Sequence, residues 1–212
     1  DGCTPLYIAV QNGHLTVVKE LIAARADVDK AETNYGITPL YIAAEKGRLT
    51  VVTELIAARA DVDKATTTDG CTPLFIAAEN GHLTVVMKLI VAEADVNKAL
   101  TTDGTTPLSI AAEKGHLTVV TELIAASADV DKAATTDGCT PLLIAAEKGH
   151  LTVVTELIAA RADVDKATTT DGYTPLLIAA QNGHLTVVMK LIAASADVDK
   201  AETAHGRTPL WI

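Results

Sequence analysis

The threonine–proline pairs of this chain begin at Thr4, Thr38, Thr72, Thr106, Thr140, Thr174 and Thr208, each 34 residues after the last. "DGCTPLFIAAENGH", from Asp69 to His82, returns as "DGCTPLLIAAEKGH" from Asp137 to His150 and as "DGYTPLLIAAQNGH" from Asp171 to His184. A fixed period of this size marks a stack of one supersecondary unit, because a single unit cannot bury its own apolar face. The repeats run 1–34, 35–68, 69–102, 103–136, 137–170 and 171–204, with a partial seventh, "HGRTPLWI", at 205–212. They are read as one repeat domain over 1–212, in a chain that opens on Asp1 and is taken as a piece of something longer.

Each repeat reads as arm, helix, turn, helix. In the fifth, Thr140 suits an N-cap and Pro141 the first helical position, where a missing N–H costs nothing. Gly149 tolerates the positive φ that ends "LLIAA". The second helix, "LTVVTELIAA", places Val153, Val154, Leu157 and Ile158 on one broad stripe. Ala145 and Ala146 let neighbouring helices approach closely. "DVDKATTTDG" has no stripe and suits an extended arm with a tight turn. The chain is 49% hydrophobic but 3% aromatic, so aliphatic side chains carry the packing. The fold class expected is all-α: twelve helices in six antiparallel pairs, with a β-hairpin or turn at each junction.

The segments "TPL", "AA", "G-H", "VV", "LI" and "ADV" recur in phase along the chain, which resembles the ankyrin repeat family over its whole length. The resemblance implies a curved stack of helix pairs that binds other proteins through hairpin tips and first helices, without catalysis. Three departures stand out. The repeat is one residue longer than the usual ~33, the extra residue lying in the arm. The family's His after "TPL" is replaced by Tyr7, Tyr41, Phe75, Ser109, Leu143, Leu177 and Trp211. Its Gly before "ADV" is replaced by Arg25, Arg59, Glu93, Ser127, Arg161 and Ser195. A left-handed conformation there costs a non-glycine residue ~1–2 kcal/mol. The second helices are therefore expected to end differently, with the longer arm absorbing the change.

Sites for chemistry are scarce. His14, His82, His116, His150 and His184 share one slot, filled by Arg48 in the second repeat. Stacked helices ~8–10 Å apart hold such residues too far apart to share a zinc ion at ~2 Å per ligand, and an Arg in the row fits hydrogen bonding better. Cys3, Cys71 and Cys139 lie two repeats apart, beyond the ~7 Å reach of a disulfide. Three free thiols favour a reducing compartment, the cytoplasm. The carboxylate row from Asp27 and Asp29 to Asp197 and Asp199 is read as turn-closing rather than calcium-binding, since Lys30, Lys64, Lys98, Lys132, Lys166 and Lys200 follow it. No nucleophile, base and orienting group come together, and no glycine-rich phosphate loop occurs. No enzyme activity, cofactor or metal is expected.

Slots that differ between repeats mark the candidate surface. The slot after the junction glycine carries Ile37, Cys71, Thr105, Cys139 and Tyr173, with Tyr35 beside it. The end of the first helix carries Glu45-Lys46, Glu79-Asn80, Glu113-Lys114, Glu147-Lys148 and Gln181-Asn182. By the resemblance, these positions face the concave side and touch partners. Tyr35, Ile37 and Tyr173 are the expected anchors, whereas Tyr7, Tyr41, Phe75 and Trp211 are expected to pack. A net charge of -10 repels phosphate backbones and anionic lipid, and no apolar run approaches the ~20 residues of a membrane helix. The function expected is a protein-binding scaffold for an unidentified protein, without nucleic acid or membrane as partner. The alternative is a structural spacer or an end-to-end assembling filament subunit, and a third reading is a targeting module attached to an enzyme elsewhere.

Overall fold

The computed structural model describes residues 2–203 and 206–209. It divides into two compact units, 1–102 and 103–212. Unit 1 holds α1 (Pro5–Asn12), α2 (Leu15–Ala23), α3 (Pro39–Glu45), α4 (Leu49–Ala57), α5 (Pro73–Glu79) and α6 (Leu83–Val91). Unit 2 holds α7 (Pro107–Lys114), α8 (Leu117–Ala125), α9 (Pro141–Lys148), α10 (Leu151–Ala159), α11 (Pro175–Gln181) and α12 (Leu185–Ala193). The expected helix pairs are thus present. The junction arms are turns, and no strand forms among the described residues.

Every first helix starts alike. The Thr140 hydroxyl accepts from the Leu143 N–H at 3.2 Å, with Pro141 at the first position. Thr4, Thr38, Thr72, Thr106 and Thr174 cap their helices in the same way. The helix ends at a left-handed glycine, φ 75° at Gly149, while the His150 N–H reaches back to the Ala145 carbonyl at 3.0 Å. These are the closing bonds of a Schellman motif.

Within unit 1, α1, α3 and α5 lie side by side and α2, α4 and α6 form a second layer; unit 2 repeats the arrangement with α7, α9, α11 and α8, α10, α12. Leu40, Ala43, Ala44, Val52 and Leu55 of the second repeat are fully excluded from solvent. Burial of each large side chain contributes ~1.5–3 kcal/mol. The histidine row ties one repeat to the previous one. His82 Nε2 donates to the Glu45 carbonyl at 2.9 Å, and His150 and His184 donate to Glu113 and Glu147 at 2.9 and 2.8 Å. A carbonyl only accepts, so Nε2 carries the proton. Arg48 does the same work, donating to the Gln11 carbonyl at 3.0 Å.

The second helices overturn one expectation. Arg25, Arg59, Glu93, Ser127, Arg161 and Ser195 all adopt the left-handed conformation, with φ between 63° and 66°. At Arg59 the reason is legible. Its N–H bonds to the Ile56 carbonyl at 2.9 Å, and the Ala60 N–H to the Leu55 carbonyl at 3.0 Å. Ala60 and Leu55, the apolar pair of a Schellman closure, are both buried. The closure satisfies orphan carbonyls and seals the core edge, offsetting the strain; the longer arm does not relieve it.

The arms are stapled by carboxylates. Asp29 accepts from the Asp61 N–H one repeat on at 2.9 Å, and Asp63 from Asp95 at 3.0 Å. Asp131 accepts from Asp163 at 3.0 Å, and Asp165 from Asp197 at 2.9 Å. Lys98 and Lys166 donate to the carbonyls of Asp63 and Asp131 at 2.9 and 3.0 Å. Among the described residues no group of three or more His, Cys, Asp or Glu is placed to hold a metal ion.

The tips need one carboxylate, and two slots supply it. In the third repeat Asp69 accepts from the Cys71 N–H at 3.2 Å and from the Thr66 hydroxyl at 2.5 Å. The second repeat has Tyr35 in that slot, and the buried Glu32 accepts instead from Asn34, Tyr35 and Ile37 N–H at 2.7, 2.6 and 3.2 Å. Burial raises the pKa of both groups, but the donors outweigh it and hold each below its ordinary value.

Candidate functional site

The variable slots occupy two surfaces, one on each unit. In unit 1 the arm lifts Tyr35 to 56% exposure, its backbone fixed from below by Glu32 and its carbonyl accepting from the Thr67 N–H at 2.8 Å. Ile37, Glu45 and Glu79 are half-buried, whereas Lys46 and Asn80 are exposed. Lys46 pairs with Glu45 at 3.2 Å, and Asn80 Nδ2 donates to the Ile76 carbonyl at 2.9 Å. Cys71 departs from the sequence reading. It is 4% exposed, so its thiol is not offered to a partner. It hydrogen-bonds with Tyr41, and burial pushes its pKa up to about 12. Burial likewise raises the Tyr41 phenol. The expected packing holds for Tyr7 and Phe75, both buried, and Tyr41 is half-buried. Trp211 lies outside the described residues.

In unit 2 the candidates converge. Cys139, Glu147, Tyr173 and Gln181 line one groove of about 340 Å³, together with Leu143, Ile178 and the turn residues Asp137, Thr168, Thr170 and Asp171. A second recess of about 220 Å³ shares Asp137, Cys139 and Glu147 with it and adds Asp103, Thr105, Glu113 and Lys148. Asn182 and Lys114 are exposed, and Asn182 Nδ2 donates to the Glu147 carbonyl at 3.3 Å. Tyr173 is fixed at both ends. Its N–H donates to the Thr168 hydroxyl at 2.9 Å, and its own hydroxyl accepts from Arg207 at 2.9 Å. Burial and the neighbouring Asp137 push the Cys139 thiol up to about 12, which makes it a small apolar wall at neutral pH rather than a nucleophile.

Asp103, Asp137, Asp171 and Ile178 were missed by comparing the repeats, because those slots scarcely vary. The usable signal was spacing: three carboxylates at one slot of consecutive repeats, 34 residues apart. No helix among the described residues is long and apolar enough to cross a membrane.

The family described as ankyrin repeats (3 copies) matches residues 1–66, 50–134, 74–168 and 142–212. No curated protein matches the chain. Among solved structures, the human ASB11 ankyrin repeat domain is 27% identical, the match covering 98% of this chain and 90% of that one at a TM-score of 0.85. The ankyrin repeat domain of Bcl-3, a member of the IkappaB protein family, is 28% identical, with 100% and 94% covered and a TM-score of 0.88. The chain belongs to the ankyrin repeat family.

Proposed function

We propose that the chain is a non-catalytic scaffold that docks a protein partner on a concave face, through its turn tips and first helices. Ankyrin repeats bind protein partners in general. The observation that carries the reading is convergence: Cys139, Glu147, Tyr173 and Gln181, chosen because the repeats differ there, line a single groove. A pre-positioned Tyr at such a place is a suitable anchor, since little side-chain freedom remains to be lost on binding. That Cys3, Cys71 and Cys139 form no disulfide with one another suits a reducing compartment such as the cytoplasm.

Proximity crosslinking with mass spectrometry identifies the partner, and isothermal titration then tests the surface. Tyr173→Ala, or Tyr35→Ala with Ile37→Ala, is expected to weaken binding by ~1–2 kcal/mol or more. Met87→Ala, exposed on α6 of the other layer, is expected to leave it unchanged. The opposite pattern places the partner on the second helices and refutes the reading. Self-association is a second reading, favoured by Val17, Leu185, Met189 and Ile192, which stand 45–68% exposed on α2 and α12. A molar mass that stays monomeric in light scattering across rising concentration removes it.

A further inference from the structure

We infer that the unit 2 groove takes a basic partner segment in a polyproline II conformation, with Lys or Arg at every third residue and an apolar side chain between; this rests on the protein-binding reading above. Five carboxylates line the two joined recesses, Asp103, Glu113, Asp137, Glu147 and Asp171, against one lysine, Lys148. Between the carboxylates the wall is apolar, formed by Leu143, Ile178 and the ring of Tyr173. The groove therefore asks for two chemistries at once: cations at the rungs and an apolar group between them.

The rungs set the spacing. Asp103, Asp137 and Asp171 occupy one slot of consecutive repeats, and Glu113 and Glu147 another. Stacked helices repeat every ~8–10 Å. A polyproline II chain advances ~3.1 Å per residue with three residues per turn, so every third side chain returns to one side after ~9.3 Å. A β-strand returns a side chain to the same face after two residues, ~6.6–6.8 Å, and falls out of step with the ladder.

The carboxylates are held ready. Asp103 and Asp137 each accept from the N–H two residues on, of Thr105 and Cys139, at 2.9 Å. The competing cations are weakly engaged: Lys114 and Lys148 sit 3.4 Å from Glu113 and Glu147 at the surface, where such pairs contribute little. A guanidinium presenting two parallel N–H groups displaces them with better geometry. Arg207, the cation beside Tyr173, is already paired with Glu202 at 3.2 Å and serves to fix the ring. The chain's net charge of -10 draws in a basic segment from a distance.

The test uses the whole chain and fluorescently labelled peptides of about ten residues. One carries Arg at every third position with Pro and Leu between. A second has the same composition with Arg at every second position, and a third has Gln in place of Arg. The first is expected to bind, more weakly as salt rises, and the other two at least about tenfold less tightly. Asp137→Asn with Glu147→Gln keeps the turn acceptor and removes both charges; it is expected to lower affinity for the first peptide by about tenfold or more with an unchanged circular dichroism spectrum. Glu147→Lys is expected to lower affinity for the first peptide further than Glu147→Gln does, because it adds a cation beside Lys148. Equal binding of the two Arg spacings, or indifference to loss of the carboxylates, overturns the inference. If the Gln peptide binds as tightly and Tyr173→Ala abolishes that binding, the docking surface stands and the basic partner falls. If no peptide binds and Tyr173→Ala leaves the natural partner's affinity untouched, both fall.

Discussion

Replacing Arg59 by Gly should stabilise this protein, although it deletes a long side chain and adds a flexible residue. Arg59 sits at φ 65° beyond the end of α4, with its side chain exposed. The left-handed conformation costs a non-glycine residue ~1–2 kcal/mol. Glycine removes that cost but brings ~0.5–1 kcal/mol of extra backbone entropy to the unfolded chain. The net gain is ~0.5–1 kcal/mol, provided that the closing bonds from Arg59 to Ile56 and from Ala60 to Leu55 are kept. Arg59→Ala is the control, because it removes the same side chain and retains the strain. Urea unfolding of the two variants compares them directly, with equal slopes confirming that the unfolded states match. The six equivalent sites, Arg25, Arg59, Glu93, Ser127, Arg161 and Ser195, lie one repeat apart, far enough for their effects to add. Together they should yield ~3–6 kcal/mol. A Gly variant no more stable than the Ala variant refutes the reasoning, since the backbone would then hold no strain to release.

Other predictions follow from the same contacts. Gly70→Ala puts a Cβ 2.8 Å from Thr101 Cγ2 at φ 77°; a loss of ~2 kcal/mol or more is expected in urea unfolding, with Thr101→Ala in the same chain recovering the clash but not the φ cost. Leu157→Ala opens a fully buried site and should cost ~2–5 kcal/mol by the same assay. In native protein at mild alkaline pH, exposed Cys3 should alkylate first and Cys71 and Cys139, both pushed up to about 12, far more slowly, faster as pH rises; denatured, all three should titrate, and an intramolecular disulfide would contradict the stacking. Glu32 and Asp69 have lowered folded pKa values, so the stability they lend is complete above the ordinary carboxylate range of about 4 and lost as pH falls through the folded values. The destabilisation by Glu32→Gln or Asp69→Asn measured at neutral pH should therefore shrink on acidification, and a pH-independent loss would rule the linkage out.

Periodicity made most of the fold legible before any coordinate was known. Thr140, Pro141 and Gly149 announce one helix in any protein, because cap, first position and left-handed exit each restrict the residue type. Arg59 misled for a physical reason. Propensity disfavours it at φ 65°, and the Leu55–Ala60 closure, whose two residues are buried against the core, offsets that cost. The candidate surface was half legible. Variation between repeats pointed to Tyr173 and Glu147 but also to Cys71, whose thiol is buried and hydrogen-bonded to Tyr41 of the previous repeat. Asp137 and Asp171 were hidden by their sameness, which reflects a shared place in the turn and says nothing of whether they also face a partner.

The exchange between Glu32 and Asp69 makes the history of each tip depend on the order of its changes. While the slot three residues before the tip carries Thr, as at Thr66, its hydroxyl takes the Cys71 N–H at 2.8 Å and hands its own proton to Asp69, so the tip slot cannot become a recognition residue without stranding that hydroxyl donor. Once the slot three residues earlier carries Glu, as at Glu32, the tip position is released, and in the second repeat it has become Tyr35. Thr66→Glu followed by Asp69→Tyr is thus a passable route, and the reverse order crosses a destabilised intermediate. Measuring the two single variants and the double variant would expose that asymmetry as a lower stability of Asp69→Tyr than of either neighbour on the other path. A repeat that has made the first change silently holds an option the others lack: it can alter what it recognises without altering how it folds.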